Sequence, residues 1–357
     1  MAKDESNQDS EYRKYDSSAI QLVSAWPKVI QILNREIPVP EVVEIFPTNY
    51  CNFACPHCRF QEEHGDESQH LDINTLEKLL IELSERDVHA IELSGGGEPL
   101  VHPDVDRMFE QFGEHNFRVG MITNGYGFVD NMPLVDRVVQ VSDWVRISVD
   151  GFSDETYRMV HGNKSISYGA LRESISKLVS SAGETPKIGL KILVSKLNYQ
   201  DAYSAVNEAR ELGVDYLQFK FLGFPQHLVL GEQETQEVTE GIRKQISEVS
   251  GNILVAELVP AYKGKTKPTQ KCLMTFLHPV VDWDGEMYVC AFFEHRKKEH
   301  YLGNIHEGGF FTHWNSPRHL QVFDSIDPAT CVPKCPMLRY NPVIDFIKSD
   351  NYRFRYI

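Results

Sequence analysis

The sequence predicts an α/β fold, a partial (β/α)6 TIM-like barrel followed by a small C-terminal extension built from a β-hairpin and a helix. Short apolar runs of strand length alternate with amphipathic stretches from residue 41 onward, and strands joined by right-handed crossovers form a parallel sheet. The C-terminal ends of such strands share one face, where barrel enzymes hold their working residues. We predict strands near 41–47, 89–94, 117–123, 144–149, 187–194 and 214–221, with helices such as 73–86, 167–180 and 200–212 between them.

Composition and pattern divide the chain into successive segments. The first residues are rich in Asp, Glu, Ser, Lys and Asn and contain little to bury, so we expect them to be disordered. The predicted segments are a disordered N-terminus (1–17), an N-terminal helix (18–40), the barrel (41–225), a connecting helix and strand (226–265), a cysteine-bearing extension (266–340) and a C-terminal tail (341–357).

The bulk properties limit the classes of partner. With 36 basic and 51 acidic residues the net charge is -15, which argues against nonspecific binding to nucleic acid or anionic membranes and favours a small polar substrate. No apolar run approaches the roughly 20 residues of a membrane span, and the first residues lack the apolar core of a signal peptide, so we expect a cytoplasmic protein. Seven cysteines, grouped by motif, indicate metal-binding thiolates more than a disulfide framework.

Three of the cysteines, Cys51, Cys55 and Cys58, lie on one short segment. Three thiolates at this spacing can bind three irons of a cubane and leave the fourth iron open to chemistry. A structural zinc site with His57 as the fourth ligand is the alternative, because zinc takes four protein ligands in such sites. The spacing therefore predicts a metal centre, and an active-site iron–sulfur cluster is the favoured interpretation.

A second motif directly follows the strand predicted at 89–94. It consists of three glycines and a carboxylate, Gly95, Gly96, Gly97 and Glu98. Glycines after a strand let a ligand approach the backbone closely, and the glutamate offers an acceptor suited to an ammonium group. Alone, this motif would indicate only a turn.

Several predicted strands are polar on one side. In the strand at 187–194, Ile188, Leu190 and Ile192 share one face and leave Lys191 on the other, because side chains alternate along a strand. If the apolar sides meet the helices, the polar sides line the barrel, where a buried charge is costly unless it pairs or holds a ligand. A self-satisfied ion network and a site for a hydroxylated, amino-bearing or carboxylated substrate both remain open. The polar residues predicted to face inward are Glu92, Arg146, Asp150, Lys191, Gln218 and Lys220.

Four more cysteines follow the predicted barrel. A hairpin with its turn at Asp284 and Gly285 carries one of them at the end of its return strand. Four thiolates would complete the ligation of a second [4Fe-4S] cluster without an open iron, and a zinc site is again the alternative. The four are Cys272, Cys290, Cys331 and Cys335.

The ordered motifs resemble those of the radical SAM superfamily. A CxxxCxxC loop at 51–58, a GGEP-type segment at 95–99 and segments at 123–125, 147–151 and 193–198 follow one another in the order of the family, over about residues 40 to 225. The resemblance implies that the first cysteine set binds a [4Fe-4S] cluster that reduces S-adenosylmethionine (SAM) to methionine and a 5′-deoxyadenosyl radical, which removes a hydrogen atom from a C–H bond. It also implies a flavodoxin- or ferredoxin-type electron donor.

The resemblance further implies how SAM is held. The glycine segment would meet the methionine amine, Ser148 the ribose or the carboxylate, and the backbone near Val194 the adenine. Relatives often carry an arginine just before the position of Gly162 to bind the carboxylate, whereas this chain has His161 there, and Arg158 one helical turn earlier is the substitute. The implied cofactor-binding residues are Gly95, Gly96, Gly97, Glu98, Asn124, Ser148, Asp150, Arg158, His161 and Val194.

The cysteines after the barrel resemble those of the extension called SPASM, or of its shortened form, twitch. The hairpin ending at Cys290 and the segments 302–305 and 314–316 carry this likeness. A full SPASM extension has more cysteines and two auxiliary clusters, so the twitch form with one auxiliary cluster is the better match for four cysteines. In this respect the chain resembles the aminocyclitol dehydrogenase of butirosin biosynthesis, which also has three cysteines in the first motif and four in the extension.

The cysteine count also bears on the reaction. Epimerases of the superfamily usually return a hydrogen atom from a free thiol, and here the two clusters use all seven cysteines. We therefore predict net oxidation, in which a base takes a proton from the substrate radical, the auxiliary cluster accepts an electron, and an alcohol of an aminocyclitol- or sugar-type substrate becomes a ketone. Lys191 and Lys220 are candidate bases or anchors because burial readily lowers a lysine pKa, and Arg146 is a candidate carboxylate anchor.

Two other reaction classes stay open. Many SPASM proteins modify a ribosomally made peptide by crosslinking, oxidation or epimerisation. Such enzymes commonly carry a leader-peptide recognition domain, for which the 40 residues before the predicted barrel leave little room, so we place a peptide substrate second. Radical decarboxylation of a sugar acid or dehydration of a diol is the remaining small-molecule alternative.

Overall fold

The computed structural model describes residues 25–248, 254–259, 271–331, 335 and 337. Predictions made for 1–17 and 341–357 lie outside these residues, as do 18–24 of the predicted N-terminal helix. The strands are β1 (Val43–Ile45), β2 (Ala90–Leu93), β3 (Arg118–Thr123), β4 (Ser142–Ser148), β5 (Lys187–Val194), β6 (Tyr216–Phe221), β7 (Leu254–Val259), β8 (Val280–Val281), β9 (Glu286–Tyr288) and β10 (Tyr301–Asn304).

Helices cover the barrel strands and follow them in the chain, with short 3₁₀ turns between. They are α1 (Trp26–Leu33), α2 (Ile73–Ser84), α3 (Val105–Glu114), α4 (Met132–Val141), α5 (Asp154–His161), α6 (Tyr168–Ala182), α7 (Ala205–Leu212), α8 (Glu232–Glu248), α9 (Lys297–His300), α10 (Phe310–Trp314) and α11 (Pro317–Ser325).

The strands form one sheet in the order β10-β9-β8-β1-β2-β3-β4-β5-β6-β7. Each pair from β1 through β7 is parallel, so the C-terminal strand ends lie along one edge. The α/β partial barrel predicted from the sequence is confirmed, and the six predicted strands correspond to β1 through β6.

Side-chain periodicity explains the packing of the barrel. Four leucines of α2 recur at helical spacing and are buried: Leu76, Leu79, Leu80 and Leu83. The Asp72 carboxylate caps the start of this helix by accepting hydrogen bonds from the N–H groups of Asn74 and Thr75. The inward and outward faces of β5 alternate as predicted, with its isoleucines and central leucine in the core shared with the helices. The polar face is thereby left for the barrel interior.

The C-terminal extension continues the barrel sheet. Strand β8 pairs in parallel with β1, and β9 and β10 follow as antiparallel neighbours. The predicted turn is present, with Gly285 at a φ of 81° that favours glycine. This pairing lays the hairpin directly beside the strand that leads into the first cysteine motif. Within the described part of the chain, no helix combines the length and apolar character needed to cross a membrane.

Candidate active site

The first cysteine motif forms the loop after β1, at the C-terminal edge of the sheet. The Cys58 N–H donates to the carbonyl of Cys55 (3.0 Å), and the Phe53 N–H donates to Cys51 Sγ (3.4 Å). The loop is also tied to the end of α5, because the Ala54 N–H donates to the carbonyl of His161 (3.0 Å). Its conformation is therefore held by backbone hydrogen bonds as well as by any metal.

The three thiols are partly buried and lie close to one another. Burial, and then the nearby Glu98 carboxylate, raises the pKa of Cys51 to about 12. Burial also raises the pKa of Cys55 and of Cys58. Such thiols stay protonated near neutral pH unless a metal supplies the positive charge that a thiolate needs. The donor set fits an iron–sulfur cluster.

The glycine segment lies against this loop. The Gly97 N–H donates to the carbonyl of Thr48 (3.0 Å), and the Glu98 N–H donates to that of Tyr50 (2.9 Å). A Cβ on Gly97 would lie 2.1 Å from the Tyr50 carbonyl oxygen, so no larger residue fits there. Gly95 and Gly96 precede this contact and complete the turn at the end of β2. The segment predicted to hold the methionine amine is thus in direct contact with the cluster loop.

Glu98 is buried at the centre of a set of hydrogen-bond donors. Its carboxylate accepts from the N–H groups of Leu100 (3.1 Å) and Asn124 (2.7 Å) and from the Thr123 hydroxyl. Burial nevertheless raises the pKa of Glu98 to about 7, and none of the residues that the structure describes places a cation beside it. A ligand ammonium group would supply that missing charge. The Asn124 amide donates in turn to Asn52 in the cysteine loop (2.8 Å).

Asp150 joins the ends of two strands to the cluster loop. Its carboxylate accepts from the Leu193 N–H (2.6 Å) and lies 3.4 Å from His57 Nε2. Although burial opposes the change, the His57 contact lowers the pKa of Asp150 to about 2. His57, considered as a zinc ligand in the sequence, therefore faces a carboxylate in this structure.

The structure separates the two residues proposed for the SAM carboxylate. His161 is buried, with Nδ1 3.3 Å from Cys55 Sγ, and burial lowers its pKa to about 4. Arg158 instead donates to the carbonyl of Ile166 (2.6 Å) and pairs with Asp154 (3.0 Å). A contact of either residue with SAM stays a prediction, and the geometry of His161 indicates a role beside the cluster.

Ser148 and Val194 end the neighbouring strands β4 and β5. Ser148 lies in register with Lys191, while the Val194 carbonyl accepts from the Leu222 N–H (2.9 Å). Both positions lie at the same sheet edge as the cysteine loop, where SAM is predicted to bind. Their roles in binding the ribose and the adenine stay predictions.

Charged side chains of both signs share the barrel interior. Burial lowers the pKa of Lys191. The Asp150 carboxylate opposes this shift, and the cations Arg146 and Arg59 add to it. Glu92 lies deeper in the barrel, where burial and then the neighbouring Glu44 carboxylate raise its pKa, opposed by His278, Arg146 and Lys220. Part of the surface of Lys191, Arg146, Glu92 and Lys220 stays accessible, while Asp150 is buried. The interior is therefore polar and has room for part of a ligand.

The four later cysteines approach one another in the extension. After burial, the thiols of Cys272, Cys335 and Cys331 each raise the pKa of Cys290, which shows how close they lie. Cys272, Cys290 and His278 line a small cavity, and His278 Nε2 lies 3.3 Å from the carboxylate of Glu44 in β1. Among the described residues, no three His, Cys, Asp or Glu side chains are arranged to hold a single metal ion.

The sequence analysis missed three residues near the two cysteine sets, namely Arg59, His64 and Glu294. The Arg59 guanidinium donates to the carbonyl of Ala291 (2.8 Å), and its Nε lies 3.5 Å from Glu294, linking the residue after Cys58 to the residue after Cys290. His64 Nε2 lies 2.7 Å from the Gly96 carbonyl oxygen and 3.9 Å from Cys58 Sγ. Only Arg59 gave a signal in the sequence, because it directly follows Cys58, whereas His64 and Glu294 lie six and four residues beyond the nearest cysteine.

Two protein-family models match the chain, one over the barrel and one over the C-terminal extension. Residues 45–227, more than half of the chain, match the model of the radical SAM superfamily. Residues 272–336 match the SPASM model, described as an iron-sulfur cluster-binding domain. Iron–sulfur clusters, and not the zinc sites considered above, are therefore the cofactors of the two cysteine sets, and SAM is the third cofactor.

Curated relatives match most of the chain. The tungsten-containing aldehyde ferredoxin oxidoreductase cofactor-modifying protein of Pyrococcus furiosus is 27% identical, covering 85% of this chain and 88% of its own length. The antilisterial bacteriocin subtilosin biosynthesis protein AlbA of Bacillus subtilis is 23% identical, covering 86% and 67%. The PqqA peptide cyclase of Methylorubrum extorquens is 24% identical, covering 65% and 63%.

Solved structures share the fold. Streptococcus suis SuiB, crystallised with the precursor peptide SuiA, superposes with a TM-score of 0.67 at 14% identity, covering 92% of this chain and 78% of its own. At this identity the likeness concerns the fold alone. With both cysteine sets, the glycine segment and the family matches in place, the chain belongs to the radical SAM superfamily and is a radical SAM enzyme with a SPASM domain.

Proposed function

We propose that this enzyme oxidises a peptide substrate held in the barrel. The observation that carries the proposal is the names of two relatives that match across the barrel. AlbA is named for the biosynthesis of a bacteriocin, and the PqqA peptide cyclase for the cyclisation of a peptide. The sequence analysis placed a polar small molecule first and a peptide second, and these relatives favour the reverse order. The Pyrococcus relative, named for modifying a cofactor, is neutral between the two.

The predicted outcome is a loss of two hydrogen atoms. When bound, the first cluster and SAM supply a 5′-deoxyadenosyl radical, and the auxiliary cluster supplies an electron acceptor. With these groups bound, a substrate C–H bond would lose its hydrogen atom to 5′-deoxyadenosine, and the substrate would then give up one electron to the acceptor and one proton to a base of the protein. Because all seven cysteines belong to the two cluster sets, no thiol remains to return hydrogen.

Lys191 is the proposed base. It lies near Cys55 and Asp150, and its lowered pKa increases the fraction of neutral amine that can take a proton. Arg146 and Lys220 are proposed to anchor substrate carbonyl or carboxylate groups. A Lys191→Met variant is expected to release 5′-deoxyadenosine but to form little oxidised product.

The test uses the anaerobically reconstituted holoenzyme, a chemical reductant, SAM and a panel of synthetic peptides. Mass spectrometry is expected to find peptide lacking two hydrogen atoms, in proportion to the 5′-deoxyadenosine released. A product of unchanged mass that carries one solvent deuterium would instead indicate epimerisation and contradict the proposal.

A second candidate is oxidation of an alcohol in an aminocyclitol or sugar. The accessible charges of both signs in the barrel favour it, because they suit a hydroxylated and aminated ligand. The same holoenzyme incubated with an aminocyclitol panel would separate the candidates. Ketone formation there, with no peptide oxidised, would replace the first proposal by the second.

A further inference from the structure

His161, the last residue of α5, lies against the first cysteine loop. It is 2% exposed, and its ring packs beside those of Phe53 and Tyr157, with centroids 4.9 Å and 4.5 Å away. Nδ1 lies 3.3 Å from Cys55 Sγ, a hydrogen-bonding separation for nitrogen and sulfur. Because the two aromatic neighbours fill the space around the ring, it has little freedom to turn away from the sulfur.

The backbone also fixes this contact. The N–H of Ala54, the residue before Cys55, donates to the carbonyl of His161 (3.0 Å). Gly162 follows with a φ of 62°, and a Cβ there would lie 2.1 Å from the Ala54 carbonyl oxygen. A glycine is therefore needed for the end of α5 to approach the loop so closely. The fold itself sets the imidazole beside the sulfur.

Cys55 differs from the other two cysteines of the first set in its hydrogen-bond partner. Cys51 accepts from the Phe53 N–H (3.4 Å), and backbone N–H groups also reach Cys58. In the part of the chain that the structure describes, the partner of Cys55 is a side chain from another element, His161. A side-chain substitution can therefore remove the hydrogen bond to Cys55 without altering the backbone.

The direction of this hydrogen bond follows from the chemistry of the two partners. A thiolate that binds iron carries no hydrogen, so it can only accept. Nε2 of His161 is buried and has no hydrogen-bond partner among the described residues, which leaves Nδ1 as the nitrogen whose proton is used. A doubly protonated ring would donate from the same nitrogen, so the direction is the same for either charge of the ring.

Such a hydrogen bond favours the reduced cluster. Reduction adds negative charge, part of which resides on the sulfur ligands, and a donor that points at a sulfur stabilises that charge. We propose that His161 donates a hydrogen bond from Nδ1 to the Cys55 thiolate and thereby raises the reduction potential of the first cluster. His161 acts through Cys55, so it is a positioning residue. This role is the same for a peptide and for an aminocyclitol substrate.

The experiment measures the reduction potential of the first cluster in the holoenzyme without SAM or substrate, so it stands apart from the oxidation assay. His161→Phe keeps a flat ring between the aromatic neighbours but has no donor, whereas the amide nitrogen of His161→Asn can take the place of Nδ1. Redox titration is followed by EPR, and the signal that changes on later addition of SAM identifies the cluster with the open iron. His89→Gln, at an exposed histidine just before β2, is the control.

His161→Phe is expected to lower the equilibrium constant for one-electron reduction about tenfold, which corresponds to a potential lower by about 59 mV. His161→Asn should restore most of that loss, and His89→Gln should match wild type. Equal potentials in wild type and His161→Phe, or equal shifts in His161→Phe and His161→Asn, would overturn the proposal. Weaker SAM binding by His161→Phe at an unchanged potential would overturn it too, and would assign His161 to the SAM carboxylate.

Iron content and the visible spectrum of each variant establish that both clusters are intact. If His161→Phe does not assemble them, pulsed EPR of protein labelled with ¹⁵N-histidine serves instead. The reduced first cluster of wild type should then show a weak ¹⁵N coupling that is absent from His161→Asn, which has no imidazole at this position. Identical couplings in the two proteins would overturn the proposal.

Discussion

The two cysteine sets differ in how the chain brings them together. The first set lies on one loop, held by hydrogen bonds from Cys58 to Cys55 and from Ala54 to His161. The auxiliary set gathers thiols spread from Cys272 to Cys335. A local site needs little chain entropy to assemble, whereas a dispersed site must close long loops. We therefore expect the first cluster to serve chemistry and the auxiliary cluster also to hold the fold.

The largest expected effect is the loss of 5′-deoxyadenosine formation when a cysteine of the first set is removed. Cys55→Ala should lower 5′-deoxyadenosine formation by more than about 10³-fold, because the cluster that reduces SAM loses a ligand. The melting temperature should change little, since the loop keeps its backbone hydrogen bonds. Iron content, product chromatography and circular dichroism measure the three quantities. A large loss of stability would contradict the view that this loop is locally held.

The next effect concerns stability at the auxiliary set. Cys290→Ala should lower the free energy of unfolding by about 3 kcal/mol, comparable to losing a crosslink that closes a long loop. For a chain of 357 residues, the melting temperature should then fall by roughly 4 °C. Anaerobic calorimetry compares this variant with Cys55→Ala. Equal melting temperatures for the two variants would remove the proposed difference between the sites.

Glu98 supplies a pH test of the first site. Its pKa of about 7 lies above the usual value for glutamate, so it is protonated in the free protein below pH 7 and must lose that proton to pair with the SAM ammonium group. Affinity for SAM should thus fall up to about tenfold for each pH unit below 7. Above about pH 8 it should fall again as the ligand amine loses its proton.

Glu98→Gln isolates this titration. The amide keeps the shape of the side chain but cannot ionise, so SAM affinity at pH 7.5 should fall by about tenfold and the acid limb should flatten. Calorimetric titration from pH 5.5 to 8.5 compares the two proteins. An unchanged acid limb in Glu98→Gln would assign the titration to another group.

Sequence patterns were informative where the site is local. The cysteine spacing, the glycine segment and the alternating faces of β5 each depend on neighbouring residues, and the structure brings these segments to one sheet edge. The contacts of Arg59 with Glu294 and of His161 with Cys55 join distant segments. No local pattern encodes such pairs, because they arise only when the hairpin pairs with β1 and α5 packs on the cysteine loop.

The smallest expected effect is on stability, and it concerns Arg59, which joins the first cysteine loop to Glu294 in the C-terminal extension. The Glu294 side chain is 1% exposed, one of its oxygens has no hydrogen-bond partner, and Arg59 is its ion-pair partner. Arg59→Gln should destabilise the protein by about 1–2 kcal/mol, less than for a fully buried pair because the arginine remains partly accessible. Arg118→Gln, which removes an exposed pair with Asp143, should cost less than about 0.5 kcal/mol.

The double variant Arg59→Gln, Glu294→Gln separates a charge effect from lost packing. If the single variant is destabilised because a buried carboxylate loses its partner, neutralising Glu294 should recover most of the loss, and the interaction energy from the cycle should approach the single-variant effect. Additive losses would mean that Arg59 acts through its contacts with Phe60 and Phe292. A change in the reduction potential of the auxiliary cluster in Arg59→Gln, absent in Arg118→Gln, would show that the same side chain also couples the two clusters electrostatically.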